Sequence, residues 1–505
     1  MLNDSVTTDR RDQAPTPPDA RSDLTALDRS IRSGVAWTSA AKLAVQIASW
    51  ASTILVVRLL TPADYGIVGM ATAFVAILQP LCDFGIAAAV VQDRTLTGNQ
   101  IARLNGLAVL IGLGCALATL AATIPIASFF KEPLLRSVVP VVGLGFFTGS
   151  FRLVPGARLA RDLRFRTLAM IEAVEGLTVL VVTLSTALMG GKYWSLVVGT
   201  LAGRTMASIL AVALEPTPLA LTLRSSPIAR SLRFGAWVAA STLAWYVYSN
   251  ADRVVVGRLI GEASLGAYTI AVTLAALAVE KISPVYQRAF ESILARVQHE
   301  RQAVARYLMR VTEAVSLLSF PLSAGIALVA DQIVDVVLGA RWEPVVAPMR
   351  LLALASAVRS LDPPLAQVLV ATGHAKENAR TMIVATLVLP LAFFASAVSG
   401  GGLAGVAAVW LIAHPTVVMS RQLWHALRIA ESSMSAYLSA ISPAATCTAL
   451  MSGAVLLVRI FPVGRAESSV GLAINAATGA ITYAVALVVL YPHRLRAMWS
   501  VLRDR

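Results

Sequence analysis

The feature that most constrains this chain is a succession of long apolar stretches separated by short polar segments. A helix needs about 20 mostly apolar residues to cross the hydrocarbon core of a bilayer. The sequence predicts fourteen such spans. Their approximate limits are 35–57, 67–91, 104–126, 134–154, 168–189, 193–214, 234–257, 265–290, 309–330, 346–370, 381–399, 403–420, 437–459 and 470–491. The pattern predicts an all-α integral membrane protein.

The composition agrees with a lipid environment. Hydrophobic residues make up 57% of the 505 residues and charged residues only 14%, whereas soluble proteins carry about 25% charged residues. A formal net charge of +14 would suggest nucleic-acid binding in a soluble protein. Here the basic residues lie mainly in short loops between spans, so membrane orientation explains them better. No nucleic-acid partner is expected.

The basic residues also predict the orientation. They are more frequent before the first span, after the second, fourth and eighth spans, and after the last span than in the alternate loops. Cytoplasmic loops carry such an excess of Lys and Arg, so we expect an even number of spans and cytoplasmic termini. Residues 1–32 lack the apolar core of a cleaved signal peptide and are predicted to be a disordered cytoplasmic tail. Residues 492–505 are predicted to be a second cytoplasmic tail.

The sequence contains an internal repeat at an offset of 200 residues. Matches in register include Ala36-Trp37 with Ala236-Trp237, Arg58-Leu59 with Arg258-Leu259, and Gly66 with Gly266. The offset corresponds to six spans, so both halves enter the membrane with the same orientation. We therefore expect a parallel pseudo-twofold repeat. The predicted parts are an N-lobe (33–214), a cytoplasmic linker (215–232), a C-lobe (233–420) and two further helices within 421–491.

Two turns of the sequence are motif-like. Residues 57–66 read VRLLTPADYG, and residues 252–261 read DRVVVGRLIG, followed by LGAYTIA at 265–271. Both turns resemble the polysaccharide-export (Wzx-type) flippases of the multidrug/oligosaccharidyl-lipid/polysaccharide (MOP) exporter superfamily. As topology, the resemblance extends over residues 30–495.

The resemblance implies a specific function. It implies two six-helix lobes plus two helices, arranged as a V around a cationic cavity and working by alternating access. The implied substrate is an oligosaccharide on undecaprenyl pyrophosphate, flipped across the bacterial inner membrane for exopolysaccharide or O-antigen biosynthesis. Membrane lipids, a polysaccharide polymerase and a co-polymerase are the other implied partners, and no cofactor is expected.

Charged residues inside predicted spans indicate where an anion would bind, because such residues are rare and usually functional. Arginine suits pyrophosphate, since its fork donates two hydrogen bonds to phosphate oxygens. The cations divide between the two predicted lobes, as expected for an anionic ligand held between them. These candidates are Lys42, Arg204, Arg253, Lys281 and Arg359.

Polar and aromatic residues accompany these cations on the first and seventh spans. On the first span, polar residues recur every three or four positions and form one helical face. Such a face lines a cavity or bonds to another helix, and Lys42 could instead pair with Asp83. Trp37 and Trp245 could stack on sugars or simply pack at the interface. The candidate cavity residues are Thr38, Gln46, Ser49, Trp37, Trp245, Tyr246 and Asn250.

Three carboxylates are candidates for ion coupling: Asp83, Glu172 and Glu175. Glu172 and Glu175 share a helical face, where two carboxylates raise each other's proton affinity. Structural ion pairs remain alternatives. Glu172 or Glu175 could pair with Arg204, or with Arg161, Arg164 or Arg166 in the preceding loop. Arg359 could pair with Asp362, and Asp252 could lock the turn after the seventh span.

Signatures of nucleotide binding, metal binding and hydrolysis are absent from the sequence. There is no Walker motif or metalloprotease motif. The five histidines, including His374 and His414, are not clustered. We expect neither an enzyme nor a metal site. The alternatives are a lipid II flippase and a cation-coupled multidrug exporter of the same superfamily. A membrane polysaccharide polymerase is less favoured, because the longest outer loop, at about 331–345, is short.

Overall fold

The computed structural model describes residues 54–83, 85–93, 95–220, 245–465 and 468–492. Helical segments 54–59 and 245–259 lie at the start of two of these ranges. In chain order, the helices are α1 (Pro62–Asp83), α2 (Ile86–Gln92), α3 (Gly98–Ala121), α4 (Thr123–Phe130), α5 (Leu135–Arg161), α6 (Phe165–Leu188), α7 (Trp194–Leu214), α8 (Glu262–Val297), α9 (Arg301–Leu328), α10 (Ala330–Ile333), α11 (Val346–Arg359), α12 (Asp362–Ala371), α13 (Ala375–Val398), α14 (Gly402–His414), α15 (Ser420–Ile429), α16 (Met434–Val458), α17 (Pro462–Arg465) and α18 (Ser469–Leu490).

The described part of the chain contains eleven helical stretches long and apolar enough to cross a membrane. The protein is therefore a multi-pass, all-α membrane protein, as its sequence predicts. The predicted total of fourteen spans, the repeat and the lobe boundaries stay predictions, because most of the first predicted span and the start of the seventh lie outside the described residues.

Breaks in the helices follow local chemistry. Helix α11 ends at Arg359 and α12 begins at Asp362, with Pro363-Pro364 in its first turn. Proline has no backbone N–H, so Pro363 and Pro364 cannot donate to the carbonyls four residues earlier, which explains this break. The predicted second span is interrupted where Gly85 adopts a positive φ of 66° before α2. A π turn at Pro415–Met419 connects α14 to α15.

The connection predicted as an outer loop, at about 331–345, is helical rather than irregular. It consists of the end of α10, a π turn at Val334–Leu338 and a 3-10 turn at Ala340–Val345. The turn carries Trp342, which is fully buried and whose Nε1–H donates to the Val57 carbonyl at 3.2 Å. This segment therefore forms part of the core.

Helices α1 and α8 cross at two glycines. A Cβ at Gly66 would lie 1.8 Å from the Glu262 carbonyl oxygen, and a Cβ at Gly266 would lie 1.7 Å from the Pro62 carbonyl oxygen. Each glycine thus lies against the first residue of the other helix. We call this contact the glycine crossing. Small residues allow two helix backbones to approach closely in a membrane, and here any side chain would collide with the backbone.

The motif-like turn at residues 57–66 stabilises the start of α1, where the glycine crossing lies. The Thr61 hydroxyl and backbone N–H donate to Asp64 Oδ2 at 2.7 and 2.9 Å, which caps the start of α1. Asp64 Oδ1 accepts the Tyr193 backbone N–H at 3.1 Å and so ties α1 to the start of α7. Arg58 Nε donates to the Val337 carbonyl at 2.8 Å. The motif therefore joins three parts of the fold beside the glycine crossing.

We predict that Gly66→Ala and Gly266→Ala each destabilise the protein by at least about 1–3 kcal/mol, the usual cost of overpacking a tight contact. Thermal unfolding of the purified protein in detergent measures the effect. Gly114→Ala is the matched control, because a Cβ at Gly114 in α3 meets nothing within 4 Å. Equal stability of Gly66→Ala, Gly266→Ala and the control would contradict the described crossing.

Candidate functional site

A cavity of about 630 Å³ lies among α1, α5, α6, α7 and the start of segment 245–259. We call it the N-lobe cavity. Along α1 its lining runs from Thr72 to Cys82, which is about 9 to 24 Å from Gly66 at 1.5 Å per residue. The cavity therefore lies along the part of α1 that follows the glycine crossing. Its polar side chains include Gln79, Ser150, Arg152, Glu175, Arg204 and Tyr246.

Helix α5 provides the space for this cavity. Gly145, Gly149 and Gly156 recur along one of its faces and line the cavity. A Cβ at Gly149 would meet nothing within 4 Å, whereas a Cβ at Gly145 would lie 3.1 Å from Nη1 of Arg204. The guanidinium therefore rests against helix backbone that carries no side chain.

Arg204 lies in the middle of α7 and is exposed to the cavity. Among the described residues it has no hydrogen bond or ion pair. The alternative of an ion pair with Glu172 or Glu175 is wrong for this structure. Its charge is therefore free to meet a ligand or water in the cavity.

Glu175 forms an ion pair with Arg152 in the cavity wall, and both side chains are partly exposed. The expected pairing with the loop arginines is not formed, because Arg161 pairs with Asp162 at 3.4 Å and Arg164 pairs with Glu215 at 2.8 Å. Glu172, one turn earlier, is exposed and does not line the cavity.

The role of Arg152 was missed at the sequence level. It lies within the fourth predicted span but is not among the intramembrane cations that the sequence indicates as candidates. The structure places it well inside α5. Its position inside an apolar span was the signal that could have identified it.

A second group of functional candidates surrounds Trp410, between segment 245–259 and α8, α11 and α14. Asp252 is only 2% exposed. Its carboxylate accepts the Trp410 Nε1–H at 2.7 Å, the Tyr268 hydroxyl at 2.9 Å and the Arg253 backbone N–H at 2.8 Å. Three donors satisfy this buried carboxylate, which favours the interpretation of Asp252 as a structural lock.

The two arginines of this group differ in their partners. Arg253 donates through Nη1 to Asn250 Oδ1 at 3.0 Å. The Arg359 guanidinium carbon lies 4.1 Å from the centroid of the Trp410 ring, and within the described ranges Arg359 has no hydrogen bond or ion pair. Arg359 and Asp362 form no direct ion pair: Asp362 Oδ2 lies 3.4 Å from His414 Nε2, and Arg359 attracts this carboxylate only from a longer distance. Neither arginine lines the N-lobe cavity.

The remaining candidates are divided between the cavity, its rim and undescribed parts of the chain. Tyr246 lines the cavity, and Trp245, 45% exposed, packs edge-on against it with ring centroids 5.1 Å apart. Asn250 is buried. The predicted site residues that lie outside the described part of the chain are Lys42, Thr38, Gln46, Ser49 and Trp37, together with the side chains of Asp83 in α1 and Lys281 in α8.

A sequence profile of the family described as "Polysaccharide biosynthesis protein" matches residues 55–347, more than half of the chain. The chain belongs to this polysaccharide biosynthesis protein family. The matched region contains the motif-like turns, the glycine crossing and the walls of the N-lobe cavity.

Two relatives agree with this assignment. The teichuronic acid biosynthesis protein TuaB of Bacillus subtilis is 26% identical over 476 residues, which cover 93% of this chain and 97% of TuaB. The lipopolysaccharide biosynthesis protein WzxC of Escherichia coli is 23% identical over 385 residues, which cover 75% of this chain and 77% of WzxC.

Two solved structures share the fold. The lipid II flippase MurJ, in an inward closed conformation, superposes with a TM-score of 0.73 at 12% identity, covering 91% of this chain and 99% of MurJ. An inward-facing multidrug resistance MATE family transporter of the MOP superfamily gives a TM-score of 0.65 at 16% identity, covering 77% of this chain and 95% of that protein. The predicted resemblance is thereby confirmed at the level of the family and of the fold.

We predict that Asp252→Ala lowers the free energy of unfolding by at least about 2 kcal/mol, because it leaves three donors without their acceptor in the core. Thermal unfolding in detergent measures this change. Asp162→Ala, which removes a half-exposed carboxylate paired with Arg161, is the control and should cost at most about 1 kcal/mol. A stable Asp252→Ala protein would contradict the structural role.

Proposed function

We propose that the protein is a secondary transporter that flips an undecaprenyl-pyrophosphate-linked oligosaccharide repeat unit across the inner membrane for exopolysaccharide or O-antigen biosynthesis. It acts without catalysis, by alternating access of two lobes. The observation that carries the proposal is the free guanidinium of Arg204 in the N-lobe cavity. Membership of the polysaccharide biosynthesis protein family, and the names of TuaB and WzxC, support a polysaccharide precursor as the substrate.

The physical argument concerns the cost of charge inside a membrane. An ionised side chain at the centre of a span costs about 2.5–3.5 kcal/mol on insertion scales. Arg204 bears this cost with no carboxylate partner among the described residues, so the charge serves a ligand. Arg152 is a second cation on the same wall, and two arginine forks match the oxygens of a pyrophosphate. Lys42, Arg253, Lys281 and Arg359 remain proposed cations of the complete substrate path.

The proposed direction follows from the predicted topology. With the N-terminus in the cytoplasm, the second span runs from the outer to the cytoplasmic side. The glycine crossing then lies at the outer end of α1, and the N-lobe cavity extends along α1 toward the cytoplasm. A lipid headgroup would enter from the cytoplasmic leaflet, and the lobes would rotate about the crossing to release it outside.

The Arg152–Glu175 pair suggests how an ion could be coupled to this movement. A pyrophosphate that takes over Arg152 would leave Glu175 without its cation. Protonation would then remove the exposed negative charge beside the substrate. Glu175 is therefore the leading coupling candidate, with Glu172 and Asp83 as the others.

Two related functions fit the same fold. MurJ is a lipid II flippase and the MATE protein is a multidrug transporter, so lipid II or cationic drugs are the alternative substrates. An uncompensated arginine in the N-lobe cavity disfavours cationic drugs, because like charges repel. A polysaccharide polymerase is less favoured than any of these transporters.

We predict that Arg204→Gln and Arg359→Gln each reduce polysaccharide export at least about tenfold, since a charge-assisted hydrogen bond contributes about 1.5–3 kcal/mol. Cell-surface polysaccharide is measured in a strain whose own copy is deleted, together with the amount of folded protein in the membrane. Arg166→Gln is the control, because Arg166 is exposed and does not line the cavity.

Normal export by both variants would refute the cationic path. Loss of peptidoglycan synthesis, rather than of surface polysaccharide, in the deletion strain would favour lipid II as the substrate. Loss of drug resistance alone would favour a multidrug exporter.

We predict that Glu175→Gln removes the dependence of substrate flipping on a proton gradient. Flipping is measured in proteoliposomes with and without an imposed pH gradient. Glu172→Gln is the matched control and should keep the dependence, because Glu172 lies outside the cavity lining. A gradient effect that survives in Glu175→Gln would exclude Glu175 as the coupling group.

A further inference from the structure

A second cavity, of about 690 Å³, lies at the far end of α8, among the α8–α9 connection, the α12–α13 connection and the end of α15. Three of the five histidines of the chain line it: His299, His374 and His425. They come from three separate parts of the sequence, so no sequence pattern shows their proximity. We call this space the histidine cavity.

The walls of the histidine cavity are held in place by packing. An apolar cluster that includes Phe290, Leu308, Leu369 and Leu427 joins α8, α9, α12 and α15 beneath it. Arg301 at the start of α9 forms an ion pair with Glu431, which follows α15. The three histidine-bearing segments therefore share one local core rather than meeting as independent loops.

Positive charge and hydrogen-bond donors dominate the lining. Glu431 is the one carboxylate among the described lining residues, and Arg301 neutralises it. Arg428 lies over the Trp424 ring at 5.3 Å and, within the described ranges, has no hydrogen bond or ion pair. Arg428 therefore places a positive charge without a carboxylate partner beside the three imidazoles.

The histidines themselves have few competing partners. His299 is exposed and has no partner among the described residues. His374 Nδ1 lies 3.1 Å from the Thr372 hydroxyl. His425 Nε2 is 3.9 Å from Glu377, whose other oxygen accepts from Arg380 at 2.7 Å. Imidazole N–H groups therefore remain available to the cavity.

We propose that the histidine cavity binds a phosphate-bearing anion and is a site separate from the N-lobe cavity. Its volume lies within the range of about 300–1,000 Å³ usual for small-molecule sites. Arg428 supplies the fixed charge, and the histidines donate hydrogen bonds. Glu377 and Glu431 would repel an anion, but Arg380 and Arg301 pair with these two carboxylates.

The phosphate could belong to a soluble compound or to a lipid headgroup, since the predicted topology places this end of the bundle at the cytoplasmic membrane surface. Isothermal titration of the full-length protein with inorganic pyrophosphate, in detergent, tests the first source. Titration of the protein in lipid nanodiscs with farnesyl pyrophosphate tests the second. Saturable binding of either probe at this cavity supports the proposal and identifies the source.

The variants separate specific binding from general charge attraction. Each variant is combined with Arg204→Gln, because the N-lobe cavity is itself proposed to bind a pyrophosphate, and the binding that remains in Arg204→Gln reports on the histidine cavity. In that background, Arg428→Gln and the triple variant His299→Gln/His374→Gln/His425→Gln should weaken binding at least about tenfold, and Arg428→Lys should retain part of it. Arg306→Gln, which changes an exposed arginine on α9 outside the lining, should leave this binding unchanged.

Melting temperatures of all variants establish that they are folded. Absence of saturable binding to either probe would overturn the proposal, and so would an equal loss in Arg306→Gln. Absence of saturable binding in Arg204→Gln would likewise overturn a separate site, because it would place all of the bound phosphate in the N-lobe cavity. Export is measured without an added probe, so the reduced export predicted for Arg204→Gln and the binding that this variant should keep at the histidine cavity can fail independently.

Discussion

The rest of the structure depends on the glycine crossing of α1 and α8. In lipid, helices gain little from hydrophobic burial against one another, so close packing and hydrogen bonds must hold them together. Gly66 and Gly266 bring the two backbones into direct contact, and the Thr61–Asp64 cap fixes the start of α1 beside them. Because this contact lies near the starts of α1 and α8, the two helices can diverge only farther along their lengths. The N-lobe cavity begins within about two turns of it along α1.

Charged side chains inside the membrane-spanning helices are accommodated in two different ways. Asp252 receives three hydrogen bonds in the core and needs nothing further. Arg204 lies against a glycine face and receives no partner from the described residues. Both groups were candidates because an ionised side chain in a membrane is costly. Only the structure distinguishes the two groups, because the hydrogen-bond partners of each come from neighbouring helices. Since Arg204 has no such partner among the described residues, it is the better candidate for binding a ligand.

The sequence was informative where the deciding physics is local. Apolar runs predict spans, Pro363-Pro364 predicts the break before α12, and Arg204 is conspicuous inside an apolar helix. It was uninformative where the outcome depends on which helices meet. The pairing of Glu175 with Arg152 requires α5 and α6 to be neighbours, and the histidine cavity requires three distant connections to converge. Neither the hydrophobic periodicity nor the composition of a single segment shows which helices are neighbours in the fold.

Helix α8 connects the two ends of this arrangement. It has 36 residues, and at 1.5 Å per residue it is about 54 Å long, well beyond the roughly 30 Å hydrocarbon core. Its first residue lies in the glycine crossing and its last turn adjoins the histidine cavity. In a rotation about the crossing, the displacement of each residue grows with its distance from the pivot. In the proposed rotation, the end of α8 at the histidine cavity would move farthest, so an anion bound there would act on the longest lever arm that α8 provides.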